Sequence, residues 1–146
     1  MNRLFALALC GSAFVAVGCS SYEKRSYDVT VRNDNDRPVT VWLTKDGTPS
    51  EANWLAPEEI AAGAKADAGI AGAVVEPGKK LGTAASGRFA PDTRAILRVY
   101  DGQLKFSEIL ATSNKSGLLR VDVPLHPGAN VVVVRKSGKL TVEAEK

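Results

Sequence analysis

Cysteine and histidine are nearly missing from this chain, which has two of the first and one of the second in 146 residues. One cysteine, Cys10, falls in an apolar opening stretch, so Cys19 stands alone in everything that follows. An intramolecular disulfide is therefore not expected, even in an oxidising compartment. With His126 as the only histidine, a zinc site of the usual ligand set is excluded, and neither metal nor cofactor is expected. Aromatic residues make up only 6% of the chain, so a core must rest on Val, Leu, Ile and Ala. Single-sign charge is also lacking. The net charge is +3, with basic and acidic residues interspersed and the only basic doublets at Lys24-Arg25, Lys79-Lys80 and Arg135-Lys136. Without a basic stripe, nucleic acid is not an expected partner. No long repeat or second domain is visible, and the length suits one domain.

What is present begins with a leader. Met1-Asn2-Arg3 is a short positive start, and Leu4 to Val17 is apolar apart from Gly11 and Ser12. That is the layout of an export signal. The apolar run is too short for a membrane span, which needs about 20 residues. Small residues close it, in Ala16-Val17-Gly18-Cys19. This stretch resembles the lipobox of bacterial lipoproteins, with a small residue before the cut and a cysteine after it. The resemblance implies cleavage between Gly18 and Cys19 and a thioether to diacylglycerol on the Cys19 thiol. Ala16 departs from the leucine preferred there. Cys10 does not compete, because Leu9 is too large for the position before a cut. Ser20 resembles the outer-membrane sorting residue of that family. The resemblance thus implies a protein held by lipid in the bacterial envelope, facing the periplasm; stable anchoring takes two or more acyl chains. Residues 1–18 are read as signal peptide, 19–26 as a lipidated polar tether and 27–146 as the folded domain.

Within that domain, apolar residues alternate with polar ones at the period of half-buried strands. Tyr27, Val29 and Val31 form one such set; Val39, Val41 and Leu43 form the next, ended by Asp46-Gly47. Ala95, Leu97 and Val99 make a third, and Asp101-Gly102 then predicts a hairpin into a strand through Leu104 and Phe106. Leu119, Val121, Val123 and Leu125 alternate with outward Arg120 and Asp122. Val131 to Val134 is continuously apolar and reads as a central strand; Ser137-Gly138 turns it into Leu140, Val142 and Ala144. Pro77-Gly78 and Pro127-Gly128 mark sharp turns, each before a strand. Asn53 to Gly72 differs. Pro57, Glu58 and Glu59 suit a helix start, with Ile60, Ala61, Ala64 and Ala68 on one face and Gly69 past the end. The expectation is an all-β fold: an antiparallel two-sheet β-sandwich, immunoglobulin-like or transthyretin-like, with about seven to nine strands and one short helical crossover.

Chemistry is sparse. His126 lies between Leu125 and Pro127 with no nucleophile or acid placed beside it by sequence. Asn33-Asp34-Asn35-Asp36 offers clustered oxygens of the kind calcium takes, but lacks the spacing of an EF-hand loop, and the turn reading is preferred. Glu58 and Glu59 point about 100° apart on a helix and cannot flank one sugar bond. No catalytic residue is assigned, and the protein is not expected to be an enzyme. Trp42, Trp54 and Tyr100 are the candidate contacts for a ligand or partner. Trp42 shares a strand face with Thr40 and Thr44, opposite the apolar set, so it faces either solvent or a covering layer. Covering by the Trp54 segment is preferred, because that also uses the Ala/Gly-rich stretch.

The segments Pro38-Val-Thr-Val-Trp-Leu-Thr-Lys-Asp-Gly47, Leu97-Arg-Val-Tyr-Asp-Gly102 and Val123-Pro-Leu-His-Pro-Gly-Ala-Asn130 are similar to those of small sandwich lipoproteins of bacteria. The layout of tether, early strands, helical excursion and late strands also resembles the transthyretin-like lipoproteins of type VI secretion systems. These resemblances imply a membrane-anchored envelope lipoprotein whose sandwich contacts another protein or the cell wall. A carbohydrate-binding accessory module using the three aromatics is the alternative.

Overall fold

A computed structural model describes residues 21–65, 72–113, 120–135 and 140–145. Its strands are β1 (Glu23–Asn33), β2 (Val39–Lys45), β3 (Ala73–Val75), β4 (Lys80–Phe89), β5 (Ala95–Asp101), β6 (Arg120–Leu125), β7 (Gly128–Arg135) and β8 (Thr141–Glu145). Two short helices, α1 (Pro57–Ala61) and α2 (Phe106–Ser113), follow β2 and β5. One sheet has the order β4-β1-β7-β8 and the other β3-β2-β5-β6. The protein is an all-β sandwich, as the alternation predicts.

Inward-facing residues close the space between the sheets. Tyr27, Val29 and Val31 from β1 meet Val39, Val41 and Leu43 from β2. Ala95, Leu97 and Val99 from β5 and Val132 and Val134 from β7 complete the layer, all with 0% exposure. Trp54, Tyr27 and Phe89 pack edge-on or tilted with ring centroids 5.2–5.5 Å apart, a geometry that aromatic quadrupoles favour. These rings fill one end of a core otherwise built from Val and Leu.

The structure departs from the sequence-based expectation at four places. First, β1 begins at Glu23, not Tyr27, and pairs with β4 from its first residue, Glu23 opposite Phe89. The polar stretch expected as a tether through Ser26 is thus strand from Glu23 onward, because an edge partner supplies its backbone hydrogen bonds. Second, the sheets are not wholly antiparallel: β1 and β7 run parallel, with Val31 opposite Val132. The turn after β1 carries the chain into the other sheet, so β1 takes its inner neighbour from late in the chain. Third, Asp101-Gly102 does not lead into a strand. Gly102 turns the chain at φ +94° and its N–H bonds the Pro38 carbonyl, but α2 follows. The Lys105 N–H donates to the Glu108 carboxylate at 2.6 Å, capping the helix. Fourth, α1 starts at Pro57 as expected but stops after Ala61, and Gly63 turns out at φ +100°. Ala68 and Gly69, Leu119 and Ser137-Gly138 lie outside the described residues.

Candidate functional site

The start of β1, the ends of β2 and β4, the start of β5 and the β6–β7 turn meet at one end of the sandwich, since Lys45 lies opposite Ala95 and Ala95 opposite Leu125. Two open clefts lie there. One, of about 440 Å³, is lined by Lys45, Thr48, Glu51, Trp54, Leu55 and Glu59 among others. The other, of about 480 Å³, is lined by Tyr22, Lys24, Glu51, Ser86, Gly87 and Arg88. Glu51 belongs to both.

Lys45 occupies the next inward position after Val39, Val41 and Leu43, which carries a charge into the core. Its side chain is only 2% exposed, so it needs partners. The ammonium donates to Glu51 Oε2 at 2.6 Å and to the Arg88 carbonyl at 2.7 Å, and lies 5.0 Å from the Phe89 ring centroid. Glu51 also accepts the Arg88 N–H at 2.9 Å. Burial pushes the Glu51 carboxyl upward, but the hydrogen bonds and charges of Lys45 and Arg88 outweigh it and hold the group below its ordinary value. The pair ties the loop after β2 to the end of β4. Gly87 permits this closeness: a Cβ there would stand 2.5 Å from Trp54 Nε1 and 2.9 Å from Glu51 Oε2.

The other carboxylates of the first cleft are also engaged. Glu59 accepts the Ala56 N–H at 2.6 Å and closes the start of α1, while Glu58 takes Arg98 Nη1 at 2.9–3.0 Å. Glu59 therefore serves the helix start, as the sequence suggests, and Glu58 an ion pair with Arg98. Among the described residues, no group of three or more His, Cys, Asp and Glu is arranged to hold a metal ion.

All three aromatic residues singled out by sequence are buried: Trp42 at 4%, Trp54 at 1% and Tyr100 at 0% exposure. Trp42 is covered, and its indole N–H donates to the Leu55 carbonyl at 2.9 Å. The cover includes the Trp54 segment, as preferred from sequence, but also α2. Ile109 packs on Trp42 and Tyr100, and Ile60 and Leu104 border them. Trp54 belongs to the main core, with its N–H on the Ser86 carbonyl at 3.1 Å. The structure thus divides the three between two layers. Burial pushes the Tyr100 hydroxyl pKa upward against the opposing pull of the neighbouring Arg98, and no well-formed hydrogen bond reaches this oxygen, Arg98 Nε or Asp101 Oδ1.

The Asn33–Asp36 run forms a turn. Asn33 is fully buried, donates to the Arg37 and Val75 carbonyls at 2.8 Å, and accepts the Asn35 N–H at 3.0 Å. His126 is exposed, and its N–H is taken by Asn130 Oδ1 at 2.9 Å, so Asn130 pins the β6–β7 turn. Sequence reasoning missed Lys45, Glu51 and Asn130, and read Asn33 only as part of a turn. For Asn33 and Lys45 a further signal existed: each stands on the inward phase of an alternating strand, where a polar residue must be paired.

No protein-family model matches the chain, and no curated protein matches it in sequence. Gly18 and Cys19 lie outside the described residues. Among the described residues, no helix is long and apolar enough to cross a membrane.

Proposed function

We propose that the chain is an envelope lipoprotein, cut between Gly18 and Cys19 and anchored by lipid on Cys19, whose sandwich makes non-enzymatic contact with another envelope protein or the cell wall. The observation that carries this reading is the leader ending in Ala16-Val17-Gly18-Cys19 immediately before the folded domain. Only residues 20–22 separate Cys19 from the first residue of β1, Glu23. Three extended residues reach about 10 Å. On this reading the end carrying the two clefts faces the membrane, and the β1–β2 turn and the Pro77-Gly78 turn point away from it. The non-enzymatic part is supported by the Lys45–Glu51 and Arg98–Glu58 pairs and by Glu59, whose carboxylates are committed to internal partners. The buried Trp42, Trp54 and Tyr100 offer no stacking platform for a sugar, so no observation favours the carbohydrate-binding alternative.

Three measurements test the proposal. Labelled palmitate should enter the wild type and not Cys19→Ser, and the variant should retain its leader; equal labelling of both would end the anchoring claim. Cross-linking in intact envelopes should capture a discrete protein or wall fragment on the wild type. Turnover of an envelope ester, amide or glycoside by the purified chain would refute the non-enzymatic part.

A further inference from the structure

Sandwich sheets end in edges, and an exposed edge is a template for another strand unless it is shortened, charged or interrupted by proline. Three edges here carry such devices. β3 has three residues. β6 contains Pro124 between the charged residues Arg120 and Asp122 and the strand end. β8 carries Glu143 and Glu145. The fourth, β4, has ten residues, and from Leu81 to Gly87 it has neither charge nor proline.

The β1–β4 register is unbroken, and the Asn33 N–H bonds the Lys79 carbonyl, so the odd-numbered residues of β4 bond to β1. The even-numbered ones turn their N–H and C=O to the free edge. The Ser86 carbonyl is taken by Trp54 and Asn53, and the Arg88 N–H and carbonyl by Glu51 and Lys45. At Lys80, Gly82 and Ala84 no described residue covers them, and those three residues are exposed.

We infer that this open edge pairs with the same edge of a second copy of the chain, antiparallel, about a two-fold axis at Gly82, joining the two four-stranded sheets into one. Lys80 then lies opposite Ala84 of the second copy and Gly82 opposite Gly82, each exchanging both backbone hydrogen bonds. Ser86, where the Trp54 cap begins, lies opposite Gly78 of the second copy, where the chain has already turned at φ +69°. The register therefore uses the uncovered stretch on both copies and ends where the cap starts.

Charge supports this occupant. Asp28 is the β1 neighbour of Ala84, and Arg32 is the β1 neighbour of Lys80. Across the joined sheet the row reads Asp28, Ala84, Lys80 of the second copy, Arg32 of the second copy, all on the outer face. Asp28 and Lys80 are two strands apart, about 10 Å between backbones, and only a methyl group stands between them. A depression of about 170 Å³ bordered by Ser26, Asp28, Ala84 and Ser86 gives the lysine stem a bed. Neither Asp28 nor Lys80 makes an ion pair among the described residues. The two-fold axis forms the pair twice.

The full-length chain in mild detergent tests this. Opposed residues in a hydrogen-bonded antiparallel pair have Cα atoms about 5.5 Å apart, within disulfide range. Gly82→Cys should give a reducible dimer on mild oxidation well above the wild-type background, and Glu143→Cys on the opposite edge should not. Sedimentation should show a concentration-dependent dimer that Gly82→Pro abolishes, because the lost N–H points away from β1 and the fold keeps its ladder. Lys80→Glu or Asp28→Lys alone should weaken the dimer about two- to thirtyfold, and the double exchange should restore it. A wild-type monomer at every concentration, equal cross-linking at positions 82 and 143, or a dimer indifferent to Gly82→Pro would overturn the proposal. So would charge exchanges that fail to compensate.

Discussion

Lys45 and Glu51 form a part-buried ion pair whose side chains are 2% and 26% exposed. Removing one member of such a pair leaves the other desolvated and unpaired, so Glu51→Ala should cost about 2 kcal/mol or more in a urea melt. Because the folded state holds the Glu51 carboxyl below its ordinary value, the pair's contribution is fully present above the unfolded value of about 4.3. It fades as pH falls from there through the lower folded value. Stability of the wild type should therefore drop below about pH 4.3 with a component that Glu51→Gln lacks, which equilibrium melts across acid pH would read. The Tyr100 hydroxyl gives the opposite case. It is buried against the Arg98 side chain without a well-formed hydrogen bond, so Tyr100→Phe deletes a desolvated group at little loss of packing. Stability should stay level or rise by up to about 1 kcal/mol; a loss of that size would show that the hydroxyl is paired. Lys45 and Asn33 were legible as anomalies, polar residues in phase with an apolar face. Their distant partners were not legible, since Arg88 and Val75 reach them through the tertiary fold.

Elements with a period of two were readable, and of the two short helices only the one that opens on proline was readable. β6 shows the first kind. Val123 and Leu125 are buried, Val121 is half-buried against the core, and Arg120 is exposed beside Asp122. Val121→Ala should cost about 1 kcal/mol and Arg120→Ala less than about 0.5 kcal/mol. Urea melts that reversed the order would mean the strand faces the other way, since a one-residue slip exchanges the two faces. α1 is that helix: Pro57 at its start, followed by Glu58 and Glu59, is visible in the sequence. α2 was misread because Leu104 and Phe106 fit a period of two after an Asp-Gly turn. What decides for helix is Thr40, whose hydroxyl donates to the Gly102 carbonyl and accepts the Leu104 N–H at 2.8 Å. Those bonds direct the chain over the outer face of β2, where Phe106 and Ile109, one helical turn apart, meet Trp42.

At the scale of the whole molecule, the sandwich is held by apolar burial and paired backbone without a covalent staple in the described residues. The full chain should melt at the same temperature with and without reductant, with far-ultraviolet circular dichroism dominated by strand. A clear fall in melting temperature on reduction would reveal a disulfide between Cys10 and Cys19, the only two cysteines. The sequence by itself determined that the fold is all-β, where most strands run and which side of each faces in. Those properties follow from alternation and turn residues, which act over a few neighbouring positions. Only the tertiary structure decided that β1 and β7 run parallel, that β4 is an edge, that the outer face of β2 is covered, and that Lys45 finds Glu51. Each of these depends on which distant segment arrives beside another, and local alternation is the same whichever neighbour a strand receives.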